Sequence, residues 1–215
     1  MACMQTRNTM QKHHWIFSFI LLLFTFGAQA SDGAAEALAQ RLAPYSSSCG
    51  QFQQQQFSAQ NTKLDASSGR FCVLRPSGFL WEIVQPSAQK IVLSEAFLWH
   101  YDAELETATR YSASTEGQIA PLQLLGGKAG ELADNFIISR GINGDNFTLT
   151  PIKTQDAFAK ITLNFQVGEL ARMTVLDNIG QRIEISFSAI KHNAQLKPAD
   201  FHFTPPELAD VFYRD

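Results

Sequence analysis

Histidine and cysteine, on which metal sites and many catalytic sites depend, are scarce in this sequence. Among its 215 residues are five histidines and three cysteines. After residue 30 the histidines are His100, His192 and His202, which lie far apart and lack the spacing typical of metal ligands. We find no glycine-rich phosphate loop after a strand and no nucleophile elbow. The sequence therefore predicts no metal, no cofactor and no catalytic residue, although a Ser-His-Asp triad can assemble from distant positions.

Long hydrophobic runs are also lacking, with one exception near the N-terminus. Residues 15–26 are apolar and uncharged, they follow the basic Arg7 and Lys12, and small residues stand at Ala28 and Ala30. This order is typical of a secretory signal, and the run falls well short of the roughly 20 residues that a spanning helix needs.

The signal divides the chain into two parts. We predict cleavage after Ala30, so that residues 1–30 are a signal peptide and residues 31–215 form a single domain. The alternative is an uncleaved membrane anchor.

No cysteine stands where a bacterial lipoprotein would carry its lipid. Ser31 follows Ala30, whereas Cys3 precedes the apolar run and Cys49 lies well beyond it. We therefore expect a protein released into the periplasm rather than anchored by lipid. In that oxidising compartment Cys49 and Cys72 could form a disulfide between neighbouring strands, or both could stay buried free thiols.

An excess of positive charge is lacking too. Removing residues 1–30 takes away two basic residues and no acidic one, which leaves 15 Lys and Arg against 20 Asp and Glu, a net charge of −5. This balance argues against binding to nucleic acid or to an anionic membrane by charge alone.

Helical patterns occur at two places in the predicted domain. Apolar residues stand at helical spacing from Ala35 to Leu42, and Pro44 ends this first helix. Residues 119–133 have no alternation of apolar and polar residues and predict one or two short helices.

Alternation of apolar and polar residues dominates the rest of the chain after residue 45. Phe71 to Arg75 and residues 161–167 are examples, and turn residues, such as those from Asp177 to Gly180, lie between such stretches. Many short strands separated by turns predict an antiparallel sheet that curls toward a barrel or half-barrel.

The series from Gly69 to Tyr111 carries a resemblance to a known family. It contains Gly-Arg-Phe-Cys-Val-Leu-Arg-Pro-Ser-Gly-Phe-Leu-Trp-Glu from Gly69, then Trp-His-Tyr-Asp from Trp99, and the chain ends with Phe-His-Phe-Thr-Pro-Pro from Phe201. In order and spacing these motifs resemble the LolA family, and the resemblance extends over nearly the whole domain, from about residue 35 to residue 211. One departure is Glu95-Ala96, where the family usually has Asp-Gly before its second tryptophan.

The resemblance implies a fold and a function. The fold is mainly β (α+β), an incomplete antiparallel barrel whose apolar concave face is covered by short helices. The function is that of a non-enzymatic periplasmic chaperone, which carries acylated lipoproteins from an inner-membrane LolCDE-type transporter to a LolB-type receptor. We expect the protein to act as a monomer.

The resemblance also assigns roles to residues. Side chains expected to line the acyl-chain cavity are Phe71, Val73, Phe79, Trp81, Leu93 and Trp99, whose ordinary alternative is a permanently packed core. Residues expected to form a lid are Pro121, Leu122, Leu124 and Leu125. The alternative is a helix that permanently closes the end of the barrel. Gly126-Gly127, directly after them, favours a movable segment.

Arg75 has the most specific expected role. The alternation of side chains along a strand places Arg75 on the same face as Phe71 and Val73. An unpaired charge on that apolar face is costly, so the five donors of the guanidinium need acceptors. In the LolA family the matching arginine bonds to lid backbone carbonyls and holds the empty carrier closed. The alternative is an arginine that reaches solvent at the strand end.

Three other functions stay open at this point. The first is a LolA-like carrier of another acylated lipid or glycolipid in a specialised envelope pathway. The second is a periplasmic module that senses mislocalised lipoproteins. The third is a hydrolase of acyl esters, which a cavity lined by carbon without a nucleophile and histidine pair would exclude.

Overall fold

The helices are few and short in this computed structural model, which describes residues 30–76, 78–94, 96–112, 124–125, 132–153 and 158–214. Helix α1 spans Ala30–Leu42 and runs into a 3₁₀ turn at Ala43–Ser46. Helix α2 spans Leu132–Asn135, and a second 3₁₀ turn spans Pro198–Phe201. Residues 1–29, which hold most of the predicted signal peptide, lie outside the described part of the chain.

The described strands account for most of the remaining chain. They are β1 Ser47–Phe57, β2 Lys63–Leu74, β3 Gly78–Gln85, β4 Gln89–Ser94, β5 Phe97–Asp102, β6 Thr107–Ser112, β7 Phe136–Arg140, β8 Asn146–Pro151, β9 Phe158–Gln166, β10 Glu169–Asp177, β11 Arg182–His192 and β12 Asp210–Arg214.

These strands form one open sheet. Its order is β12-β6-β5-β4-β3-β2-β1-β11-β10-β9-β8-β7, with β12 and β7 at the two edges of the described sheet. Neighbours pair antiparallel except β12, which runs parallel to β6. The sheet is thus an incomplete barrel of mainly antiparallel strands, and the predicted fold class is confirmed.

Local sequence explains where several elements begin and end. Proline lacks a backbone N–H, so Pro44 cannot continue α1, and the chain tightens into the 3₁₀ turn instead. The glutamine run Gln53–Gln56 lies inside β1, where its side chains alternate between exposed and half-buried positions along the strand.

The turn between β10 and β11 is also made by its own residues. The Asp177 carboxylate accepts the backbone N–H groups of Ile179 and Gln181. Gly180 adopts a positive φ of 85°, which glycine reaches without steric cost. These contacts form the turn that the sequence predicts at this point.

Both faces of the sheet are partly covered. On the concave face, α1 presents Leu38 and Leu42, each fully buried, to the main hydrophobic core. On the convex face, the segment before β12 packs against β3, β4 and β5 and buries Phe201. The concave core is the larger of the two, and it is where the candidate site lies.

Candidate functional site

Aromatic side chains from the four adjacent strands β3, β2, β1 and β11 meet at the centre of the concave face. Phe52 on β1 stacks on Trp81 of β3 with ring centroids 3.6 Å apart, and Phe79 lies 6.2 Å from the same indole. Phe187 of β11 meets Trp81 edge-on at 6.4 Å. Trp81 is 2% exposed. The aromatic cluster is therefore closed to solvent in this state.

The strand register brings the predicted cavity residues together, with one exception. Residues directly opposite in an antiparallel pair point to the same face. Val73 lies opposite Phe79, which lies opposite Leu93, so these three share a face. Phe71 lies opposite Trp81 on that same face. All five side chains belong to the concave hydrophobic core or pack against it.

The exception is Trp99, for which the prediction is wrong. Ile91, which lies opposite Trp81, pairs with His100, so the neighbouring Trp99 points to the convex face. There its ring lies 5.6 Å from Phe203 of the C-terminal segment. Because that segment gives the convex side its own apolar cover, hydrophobicity alone does not identify the inner face of β5.

Two residues of the predicted lid fall in the described part of the chain. Leu124 and Leu125 are helical, 3% and 1% exposed, and both belong to the concave core. Pro121 and Leu122 lie outside the described residues. The described pair therefore fills the concave face together with α1 and does not extend into solvent.

Arg75 joins this segment to the sheet. Its Nε donates to the Leu125 carbonyl at 2.6 Å and its Nη2 to the Leu124 carbonyl at 3.1 Å. Its Nη1 also lies 3.4 Å from the carbonyl of Leu42, the last residue of α1. Burial lowers the pKa of the Arg75 guanidinium to about 10, which leaves it charged near neutral pH. A half-buried cation thus binds backbone carbonyls of both covers of the concave face.

Two features of the site have no clear signal in the sequence. The Leu42 carbonyl is one, because backbone acceptors leave no trace in side-chain patterns. His100 is the other, and it shares the concave face with Trp81 and Ile91. Burial lowers the pKa of His100, while the nearby Asp102 carboxylate opposes that shift. The neutral imidazole is therefore favoured at this partly buried position.

A polar series lies at the base of α1. Ser48 Oγ is 2.9 Å from His192 Nδ1, and His192 Nε2 is 3.0 Å from Glu169 Oε2. These residue types match those of a hydrolytic triad. Ser48 is 0% exposed, however, and its hydroxyl also lies 3.1 Å from the Pro44 carbonyl. A nucleophile enclosed in this way cannot meet a substrate, so the series has a structural role in this state.

The two cysteines of the domain face each other across neighbouring strands. Cys49 on β1 lies opposite Cys72 on β2, and the structure joins them in a disulfide. Cys72 lies between Phe71 and Val73, whose side chains point to the concave core. The bridge therefore ties together the two strands behind the aromatic cluster.

Neither a metal site nor a membrane-spanning helix is found in the described part of the chain. In those ranges no cluster of three or more His, Cys, Asp or Glu side chains could hold a metal ion. None of the helices described has both the length and the apolar character that crossing a bilayer takes.

Comparison with known proteins places this geometry in a family. Residues 45–204 match the family model described as "Outer membrane lipoprotein carrier protein LolA". This match covers well over half of the chain. The chain belongs to the LolA family.

Relatives within the LolA family agree with this chain over most of their length. An outer-membrane lipoprotein carrier protein of Coxiella burnetii is 34% identical over 185 residues, which cover 85% of this chain and 88% of the relative. One from Neisseria meningitidis serogroup B is 32% identical over 207 residues, covering 94% of this chain and 99% of the relative.

Solved structures agree in fold. The LolA superfamily protein of Nitrosomonas europaea matches with a TM-score of 0.53 at 14% identity, covering 82% of this chain and 99% of that one. An uncharacterised conserved protein of Thermus thermophilus matches with a TM-score of 0.51 at 18% identity, covering 85% and 99% of the two chains. At these identities the likeness concerns the fold alone.

Proposed function

We propose that this LolA-family chain is a periplasmic carrier of outer-membrane lipoproteins, and that it binds their acyl chains against the concave face of its sheet. The observation that carries this proposal is Arg75, which holds the buried Leu124–Leu125 segment over an aromatic core. Relatives of similar length carry the name outer-membrane lipoprotein carrier protein. Such a protein transports its cargo and needs no chemical reaction to do so.

The physical need for a carrier follows from the cargo. Burying an acyl chain gains about 0.8 kcal/mol per methylene, so a sixteen-carbon chain gains roughly 12 kcal/mol from leaving water. A triacylated lipoprotein therefore does not cross an aqueous compartment unaided at a useful rate. The concave core offers an apolar surface of matching character, provided that its cover can be displaced.

The closed structure explains how loading and release can both be feasible. Acyl chains that replace Leu124 and Leu125 on the aromatic cluster exchange one apolar contact for another, so the net gain from burial is small. The Arg75 hydrogen bonds then make up a large part of the free-energy difference between the closed and the loaded form, because bonds from a charged donor contribute about 1.5–3 kcal/mol each. Arg75 thus acts as a latch that favours the empty, closed form and helps to expel cargo at the next partner.

The proposed route has two transient partners. An inner-membrane transporter of the LolCDE type loads the carrier, and an outer-membrane receptor of the LolB type receives the cargo. The protein reaches the periplasm through its signal peptide, which is removed after Ala30. Membership of the LolA family supports this route.

The test is to purify the mature protein from its own periplasm and identify co-purifying peptides and lipids by mass spectrometry. Wild type is compared with Arg75→Leu, which removes the donors to the Leu124 and Leu125 carbonyls. We expect triacylated lipoproteins on both, enriched several-fold on Arg75→Leu because the open form retains cargo. Arg70→Leu is the matched control, because Arg70 lies on the same strand, β2, next to Phe71, but its side chain is exposed.

Two results would count against the proposal. Free lipid or glycolipid without peptide would keep the binding site but assign the protein to another envelope pathway. Equal amounts of co-purifying lipoprotein on Arg75→Leu and Arg70→Leu would show that Arg75 does not act as a latch.

A further inference from the structure

We propose that α1 is a fixed wall of the site, held in place by Tyr45 and Arg41 as positioning residues, and that acyl chains enter by displacing the Leu124–Leu125 segment alone. This inference rests on the proposed carrier function. It concerns which of the two covers of the concave face moves, since Arg75 contacts the carbonyls of both. The two covers differ in their contacts with the sheet.

Tyr45 fastens the 3₁₀ turn that follows α1. The side chain is 1% exposed, its hydroxyl accepts the backbone N–H of Leu170 at 2.6 Å, and it donates to Glu169 Oε2 at 3.1 Å. Burial raises the pKa of Tyr45 to about 12, so the hydroxyl keeps its proton and can donate. Both partners lie at the start of β10, so the turn is bound directly to that strand.

The same turn has further contacts with β1, β11 and the end of β2. The Pro44 carbonyl lies 3.1 Å from Ser48 Oγ and 3.1 Å from His192 Nδ1. His192 also packs edge-on against the Tyr45 ring at 4.8 Å. The backbone N–H of Arg75, directly after β2, donates to the Ser46 carbonyl at 2.7 Å. Residues on or next to four strands therefore hold the base of α1 through separate contacts.

The last turn of α1 is fastened from its other side. Arg41 Nη2 lies 2.9 Å from Asp145 Oδ1 in the loop between β7 and β8. The Arg41 guanidinium also lies 5.7 Å from the Phe165 ring centroid on β9. Between these contacts, Leu38 and Leu42 are fully buried. Displacing α1 would break all of these contacts together.

The Leu124–Leu125 segment is held by burial of its two side chains and by Arg75. Within the described residues, the side-chain hydrogen bonds to its carbonyls come from Arg75. Replacing its two leucines by acyl chains and breaking the Arg75 hydrogen bonds would release this segment, while the contacts of Tyr45 and Arg41 remain intact. The two covers therefore differ in their described polar contacts, because α1 and its 3₁₀ turn have several to the sheet, whereas the carbonyls of Leu124 and Leu125 have those from Arg75.

The experiment measures the distance between spin labels at Gln40→Cys on α1 and Lys160→Cys on β9, both exposed positions. The native Cys49 and Cys72 do not take the label because they are disulfide-bonded. We expect the same distance in wild type, in Arg75→Leu, and in wild type with a synthetic triacylated lipopeptide bound. A shift of several ångströms in either of the last two would overturn the inference.

Variants of the anchors give the complementary result. In Tyr45→Phe, which keeps the ring and removes both hydroxyl contacts, we expect a broadened distance distribution and about ten-fold weaker lipopeptide binding. Tyr213→Phe, at an exposed tyrosine, should change neither. Asp145→Asn, at a half-exposed position, serves as the second anchor variant if Tyr45→Phe folds poorly. An unchanged distribution in both anchor variants would exclude the role of these residues.

The outcomes separate this inference from the carrier function. If the lipopeptide binds and α1 moves, the function stands and the inference fails. If no lipopeptide binds to wild type or to Arg75→Leu, the carrier function itself fails, and the inference fails with it.

Discussion

Trp81 and Trp99 carry the same indole ring but lie on opposite faces of the sheet. Trp81 is 2% exposed among the concave aromatics, whereas Trp99 packs against Phe203 and Tyr213 on the convex side. The remaining tryptophan, Trp15, falls within the predicted signal peptide. The domain after residue 30 therefore has one indole on each face.

This placement gives a prediction about where acyl chains bind. We expect a bromine-labelled fatty-acyl chain to quench Trp81 in the variant Trp99→Phe, because bromine quenches an indole only at close range. The same ligand should leave Trp99 nearly unquenched in Trp81→Phe. The measurement is fluorescence as a function of ligand concentration, with unbrominated acyl chain as the control. Stronger quenching of Trp99 than of Trp81 would show that the acyl chains bind on the convex face instead.

Single residues differ in how far the sequence reveals their contacts. Arg75 could be singled out because an arginine in an apolar period-two series needs acceptors. The face of Trp99 could not be predicted, because the convex face of β5 has an apolar cover of its own. The contacts of Tyr45 leave no local signal, since its partners Glu169 and Leu170 lie more than 120 residues away in the chain.

Among the elements, the pairing of β2 with β3 requires a glycine at position 69. A Cβ added to Gly69 would overlap the backbone carbonyl of Glu82 on β3. Backbone atoms cannot move aside as a flexible side chain can. This requirement gives a physical reason for the glycine that opens the series resembling the LolA family.

The prediction is that Gly69→Ala destabilises the protein by about 1–3 kcal/mol or more, as overpacking does. Gly33→Ala on α1 is the matched control, because an added Cβ there meets nothing within 4 Å. A helical alanine should leave stability unchanged or raise it by at most about 1 kcal/mol. Urea unfolding of the two variants gives the comparison. Equal midpoints would show that β2 and β3 can separate without cost.

The elements themselves could be predicted from the sequence better than their arrangement. The end of α1 before Pro44 and the turn at Asp177 depend on neighbouring residues, and both were predicted. The parallel pairing of β12 with β6 depends on a return of the chain from Pro206 to Asp210, for which the sequence offers no local signal. That return follows the segment that covers the convex face.

For the molecule as a whole, an open sheet suits a reversible apolar site. A closed barrel would fix its interior, whereas this sheet leaves one concave face closed by two separate covers, α1 and the Leu124–Leu125 segment. The fold class could be predicted because the motif series runs through nearly the whole domain. The resemblance also implies bonds from Arg75 to lid carbonyls, whereas the contact of Arg75 with the Leu42 carbonyl at the end of α1 has no signal in the sequence.

Uptake of lipoproteins by their acyl chains is the property on which the proposed function depends. The decisive measurement adds the purified mature protein to spheroplasts that are synthesising an outer-membrane lipoprotein, and follows the release of that lipoprotein into the medium. We predict that the lipoprotein is released in a soluble complex with this protein, and that a hydrophilic protein of similar size releases none. Lipoprotein that stays on the spheroplasts at every concentration of added protein would be incompatible with a carrier.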